Sequence, residues 1–470
     1  MIRFVNADRE QTFLLPPDMR DWVPKDDLCH FVIEAVERVD MTAFAVNTRG
    51  SGSPQYDPRM MLALLIYCYA NGIFSSRRIE RATYRDVAVR FVAANTHPDH
   101  DTIAVFRRRN EAAFKAAFLE VLMLAKELRL LKVGMVSVDG TKIDANASKH
   151  KSVRYDRAKA LREKLATDIA ELITKAESAD ASGDDDPQAL PAEIARREAL
   201  KAKLDDAVAR LEAEAKAQAE ADQATYEAKL KAHKERGGRG RKPGPPDDTP
   251  DDRDQTNLTD PDSRIMRKNK HSEYRQAYNA QATVDANGSM LILATHVTNC
   301  ASDRNELLPA IANIDAAIGT PETVLADNGF ANGEAVAKLQ GQGIEVLVAT
   351  GAKGKQRAYD FRPPKDAGPP KEPVLPWLQE MKKEMESDEA RAKYKLRQQT
   401  VEPVFGIIKE ALGFRRFHLR GATGANLEWL LTALAYNMKR LHRLQQIRQI
   451  DIAACYRYFF GWPRPSPTGC

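Results

Sequence analysis

The chain has 470 residues, of which 43% are hydrophobic and 29% charged. This excludes a wholly disordered polymer and leaves room for two or three domains around at least one large core. A net charge of +5 is too small to mark a nucleic-acid binder, so the placement of charge must carry any such argument. The opening MIRFVNADREQTF is charged too early for a signal peptide, and the most apolar run, Met60 to Ala70, is about half of what a bilayer requires. Cys29, Cys68, Cys300, Cys455 and Cys470 are far apart, with no CxxC spacing. That pattern argues against a zinc site or a disulfide framework and fits a reducing cytoplasm.

Residues 1–115 read as a helical domain. Val32, Ile33, Val36 and Val39 recur at helical spacing, and Pro58 opens a helix that Asn71-Gly72 closes. Ser75 and Ser76 can cap the segment RRIERATYRDVAVRFVAA, and a further helix follows Asp101. Arg77, Arg78, Arg107, Arg108 and Arg109 cluster on these short helices. They suit a helix-turn-helix-like unit touching DNA, or an ordinary solvated surface. Ala116 to Leu131 continues as helix, and Val133 to Val138 is a short buried strand ending in Asp139-Gly140.

From residue 155 to 235 the composition shifts to Ala, Glu, Lys and Leu. Leu161, Leu165, Ile169, Leu172 and Ala176, then Ile194, Leu200, Leu204, Val208 and Leu211, predict a long helical hairpin split by ASGDDDP. Residues 236–259, rich in Gly, Pro and charge, read as a flexible linker whose basic half either touches phosphates or merely solubilises. Tyr278 to Val284 and Met290 to Val297 alternate around Asn287-Gly288 and predict a β-hairpin. Then come a helix from Arg304 to Ile318, a strand from Thr323 to Ala326 ending at Asp327, a helix from Gly333 to Gln340 and a strand from Ile344 to Ala349. Residues 351–376 predict a mobile loop, two helices over 386–412 and 427–443 close the core, and 446–470 form a tail. This order describes an α/β protein: a ribonuclease-H-like mixed sheet over 116–154 and 260–445, interrupted by the hairpin and preceded by an all-α domain.

Asp139 and Asp327 each follow an apolar strand, and strand ends in open α/β sheets are where sites assemble. Glu402 lies in the amphipathic stretch TVEPVFGIIKEAL, at the edge of the face formed by Val401, Val404, Phe405 and Ile408. Three converging carboxylates cannot all stay ionised without counter-charge, and divalent cations supply it. Each also has a simpler reading. Asp139-Gly140 and Asn328-Gly329 suit turns, and Glu402 before Pro403 suits a helix start. Asp144 is a candidate extra ligand; Asp285 reads as a turn residue and Asp303 as a helix cap. His97 and His100 could cap the helix after them. His271 and His418 show no metal spacing, and Gly237 to Gly244 lacks the GK[ST] ending of a phosphate loop.

The chain resembles bacterial insertion-sequence transposases of the DDE type, in the group with a Tyr-Arg-Glu-Lys signature around the catalytic Glu. Tyr394, Arg397, Glu402 and Lys409 carry that signature in YKLRQQTVEPVFGIIK. The likeness extends to VSVDGTKIDANAS, to DPDSRIM from Asp260, to YNAQATVD and to LADNGF. It implies two magnesium ions, replaceable by manganese, held by Asp139, Asp327 and Glu402 for in-line phosphoryl transfer on DNA. It implies that Tyr394, Arg397 and Lys409 touch phosphates beside the cut. Its implied partners are the element's terminal repeats and target DNA. Paired ends require two active sites, so a homodimer on DNA is expected, and the short apolar run leaves no membrane partner. Two other readings compete: a DNA-binding protein with an inert core, and a ribonuclease-H-like nuclease that cuts without strand transfer.

Overall fold

The computed structural model describes residues 18–46, 55–182, 189–237, 242–267, 271–350 and 375–448. Six helices lead: α1 (Leu28–Glu37), α2 (Pro58–Ala70), α3 (Ser76–Arg85), α4 (Val87–Val92), α5 (His100–Arg109) and α6 (Glu111–Glu127). Strand β1 (Met135–Asp144), the short β2 (Ser152–Arg154) and the hairpin helices α7 (Tyr155–Ser182) and α8 (Ala189–Glu235) follow. The chain then returns to the sheet through β3 (Gln255–Asn257), β4 (Arg264–Met266), β5 (Arg275–Asp285), β6 (Ile292–Thr298) and α9 (Leu307–Ala312). It ends with β7 (Thr323–Ala326), α10 (Gly333–Gly341), β8 (Glu345–Val348), α11 (Pro376–Glu384), α12 (Asp388–Gly406) and α13 (Gly421–Arg448). Residues 351–374 and 449–470, where the mobile loop and the tail were expected, lie outside the described residues.

β5 lies antiparallel to β1 on one edge and to β6 and β4 on the other, while β1, β7 and β8 run parallel. This mixed α/β sheet is consistent with a ribonuclease-H-like core. The expected hairpin forms. Asp285 is buried at its turn, where it accepts from the Asn287 and Ser289 amides at 3.2 and 3.1 Å. α12 lies across the sheet with Val401 and Val404 buried, and Ser137 and Thr400 hydroxyls join it to β1 at 2.8 Å.

Local chemistry fixes the ends of the leading helices. Asp57 accepts from the Met60 amide, and Pro58 occupies the first turn of α2, where no N–H is needed. Every residue of α2 from Met61 to Ala70 is buried, and the helix packs on α1 and α13. One contiguous apolar core therefore runs from the leading helices into the sheet. α7 and α8 pack on each other around a small core of their own that includes Leu165, Leu204, Val208 and Leu211. Among the described residues, no helix is long and apolar enough to cross a membrane.

Several expectations need correction. β1 does not stop at Val138. Its polar second half, GTKID, stays paired with β5 as far as Asp144 opposite Ala277, so Asp139-Gly140 is strand and not turn. Part of the expected linker is ordered: Gln255–Asn257 pairs with β2, and the Tyr155 amide donates to the Asp254 carbonyl at 2.8 Å. The helix expected over 304–318 shortens to α9, because Asp303 turns back to the sheet and Asp315 starts a new turn. Pro403 lies inside α12 rather than at its start, and a π-helical turn, Ile407–Ala411, follows. Asp99 caps α5, accepting from the Asp101 and Thr102 amides, while His97 stacks on Tyr84 and His100 contacts Glu80 at 2.8 Å.

Candidate active site

Sheet register places the first two carboxylates. β1 and β7 pair in parallel up to Val138 opposite Ala326, so the next residues, Asp139 and Asp327, emerge side by side. β7 stops there because Asp327 caps a 3₁₀ turn, its Oδ1 accepting from the Gly329 amide at 2.7 Å. A side chain at position 329 would put its Cβ 2.8 Å from that same oxygen, so it would force the Asp327 carboxylate to shift. Asp139 likewise commits Oδ1 to a main-chain amide, that of Gly140, at 2.8 Å. Each Asp thus keeps its Oδ2 for the crevice.

α12 brings the third carboxylate and a cation. Arg397 reaches all three acids: Nη2 lies 3.0 Å from Asp139 Oδ2 and 3.7 Å from Asp327 Oδ2, and Nη1 lies 3.4 Å from Glu402 Oε1. Side-chain exposure rises from 17% at Asp139 through 41% at Asp327 to 53% at Glu402, so the crevice has a buried floor and opens to solvent beside Glu402. The Arg397 Nε is buried without a hydrogen-bond partner, so the guanidinium meets the acids through Nη1 and Nη2. The Asp139 carboxyl is pushed up to about 6: burial raises it most, Arg397 pulls it down, and the charges of Asp327 and Asp303 add to the rise.

Tyr394 is half-buried one turn before Arg397, close enough for the three acids to act on its hydroxyl; burial, more than their charge, raises its pKa. Lys409 donates to Thr141 Oγ1 at 2.6 Å and to the Lys142 carbonyl at 3.0 Å, which fixes it beside β1 just beyond Asp139.

Other candidates lie elsewhere. Asp144 is at the far end of β1 and faces Arg275 at 3.3 Å and Arg416 at 3.9 Å, away from the three acids. Arg107 is 4% exposed. It donates to the Tyr69 hydroxyl at 2.7 Å and the Phe74 carbonyl at 3.0 Å, so the expected phosphate contact is corrected to a role in the core. Arg77, Arg78, Arg108 and Arg109 are exposed. Arg81 and Arg85, which the sequence reading passed over, are exposed too and continue the line of Arg77 along α3 at intervals of four residues.

Asp303 is the site residue that sequence reasoning misread. Its Oδ1 accepts from Asn279 Nδ2 at 2.6 Å and Gln281 Nε2 at 2.7 Å and lies 3.7 Å from Lys142 Nζ. This cluster fills the space beside Gly140, where a Cβ would come within 2.3 Å of Gln281 Nε2 and 2.6 Å of Asp303 Oδ1. Only the folded sheet brings β5 and the 303 loop to Gly140, so no local pattern announces the cluster.

Among the described residues, no group of three or more His, Cys, Asp or Glu is gathered as a metal site would require. The three acids surround a guanidinium instead. Their donor chemistry nonetheless fits a hard divalent cation, since three carboxylate oxygens face one centre of positive charge.

Residues 247–438 match the family model described as Transposase DDE domain, and residues 17–109 match the Transposase domain (DUF772). Together the two matches support a DDE-type transposase. The first contains Asp327 and Glu402; Asp139 precedes it. The chain matches no curated protein and no solved structure.

Proposed function

We propose that the chain cuts the ends of an insertion sequence and joins them to new DNA, using Asp139, Asp327 and Glu402 as one catalytic set. The observation that carries this reading is the convergence of the three acids on Arg397 from two adjacent parallel strands and the helix that crosses them. The same three carboxylates would hold the two magnesium ions, or manganese in their place, that the resemblance implies. Bound there, a divalent cation would supply charge stabilisation for in-line attack on phosphorus by a water or a 3′-hydroxyl.

The chain's own residues set the geometry. Main-chain amides lock one oxygen of each Asp, so the other is aimed before substrate arrives. Arg397 holds the acids together and can fork onto a phosphate once they have another counter-charge. Lys409 offers a point charge one step along β1, and the Tyr394 hydroxyl, kept neutral by burial, can hydrogen-bond to a phosphate oxygen. DNA ends are recognised through α3 and the end of α5, with Arg77, Arg78, Arg81, Arg85, Arg108 and Arg109 exposed on them. Joining two ends requires two active sites, which makes the working form a homodimer on DNA.

The test is cleavage of a duplex carrying the element's terminal repeat. Strand cleavage with magnesium or manganese that stops on chelation is expected. Cleavage that persists in chelator, or no cleavage with either ion, would overturn the proposal.

A further inference from the structure

A second feature of β1 lies beyond the acids and has no part in the chemistry above. The far end of the strand floors a groove of about 770 Å³, walled by residues 144–151, 273–276 and the loop before α13. Lys149, Lys151, Arg275, Arg416 and Arg420 line it, against only two carboxylates, Asp144 and Glu273. All five cationic residues are exposed, and Asp144 is already shared between Arg275 and Arg416. The groove is rigidly built. The Asp144 amide donates to the Arg415 carbonyl at 3.1 Å, the Phe417 amide donates to the Asp144 carbonyl at 2.8 Å, and Asn146 Nδ2 donates to the His418 carbonyl at 2.8 Å. Its cations therefore sit on a fixed wall rather than on a loose tail.

β1 connects this groove to the acids without interruption, and Lys409 stands over the intervening Thr141 and Lys142. Asp144 lies five residue steps along the strand from Asp139, roughly 17 Å at about 3.3 Å per residue. Duplex DNA advances about 3.4 Å per base pair, so this span corresponds to about five base pairs.

We propose that this groove binds the phosphate backbone of duplex DNA about five base pairs from the scissile phosphate, as a site separate from the arginines of α3. The proposal rests on the reading of the chain as a DNA-cutting enzyme. The predominance of cations over carboxylates, and their spread over three chain segments, suit a polyanionic backbone better than a single small anion.

The test is duplex binding by the full chain at a series of salt concentrations, comparing wild type with a variant carrying K149Q, K151Q, R416Q and R420Q. Each lost phosphate contact should reduce the slope of log affinity against log salt by about 0.9, so a fall of roughly 2 or more is expected. Truncating the duplex to fewer than about five base pairs on each side of the cut should erase the difference between the two proteins. An unchanged slope and affinity in the variant, with wild type binding in a salt-dependent way, would overturn the groove alone. Wild type that binds no duplex at any salt would overturn the enzyme reading and the groove with it. If the fourfold variant fails to fold, the pair K149E and K151E, on an exposed segment, must still lower the slope, and an unchanged slope there counts against the groove.

Discussion

At neutral pH the Asp139 carboxylate is ionised in a setting that opposes its charge. Its folded pKa of about 6 lies above the ordinary 3.8, so its contribution to stability is full below pH 3.8 and is lost as pH rises through 6. The shift corresponds to about 3 kcal/mol at pH 8. Asp139→Asn should therefore raise the melting temperature of the metal-free protein at pH 8, with the gain gone by pH 4. A variant that melts lower than wild type at pH 8 would show that Arg397 outweighs burial. Magnesium should stabilise wild type at pH 8 for the same reason, and chelation should reverse the gain, whereas Asp139→Asn should respond weakly in a thermal melt. Gly140→Ala tests the cluster beneath the site. Its Cβ would press on Gln281 and Asp303, so cleavage should fall together with thermal stability, and full activity would refute the crowding argument.

Among the elements, α5 separates arginines that look identical in sequence. Arg107 faces Tyr69 and the buried Glu428, 3.9 Å from its carboxylate, while Arg108 and Arg109 face solvent. Arg107→Ala should destabilise the fold by about 3 kcal/mol, because it takes from the buried Glu428 its arginine counter-charge and leaves only His418, at 3.1 Å, as an ion-pair partner. Arg108→Ala and Arg109→Ala should leave denaturant midpoints unchanged and weaken duplex binding. The reverse pattern would place the DNA face elsewhere. Run and turn signals made the β5–β6 hairpin, β7, α10 and the two hairpin helices legible in the sequence, because each depends on spacing within one segment. The second half of β1 was not legible, since its strand character comes from pairing with β5 rather than from an apolar run. The inward turn of Asp303 was hidden for the same reason. The α7–α8 hairpin has its own core, and its ends meet at Tyr155 and Asp254. Replacing residues 160–250 with a short Gly-Ser linker should leave the rest folded, as judged by an unchanged thermal transition. Loss of that transition would show that the insertion supports the core.

The whole molecule joins its leading helices to the sheet through one continuous core, so the exposed face of α3 and the crevice of acids belong to one packed body. Within that core, Glu428 ties α2 to the loop before α13. It accepts from the Tyr69 hydroxyl at 3.0 Å on one side and from the His418 and Leu419 amides at 2.7 and 3.0 Å on the other. The three acids were legible as a set only because separate weak signals occurred in one order; what the sequence did not reveal is that Arg397 stands at their centre. Transfer of a labelled terminal-repeat duplex into a target plasmid, with magnesium, tests their role most directly. Wild type should give both cleaved and joined products, and Asp139→Asn, Asp327→Asn and Glu402→Gln should each reduce both by at least roughly a hundredfold. Joined product at wild-type level from any one of the three would contradict the account.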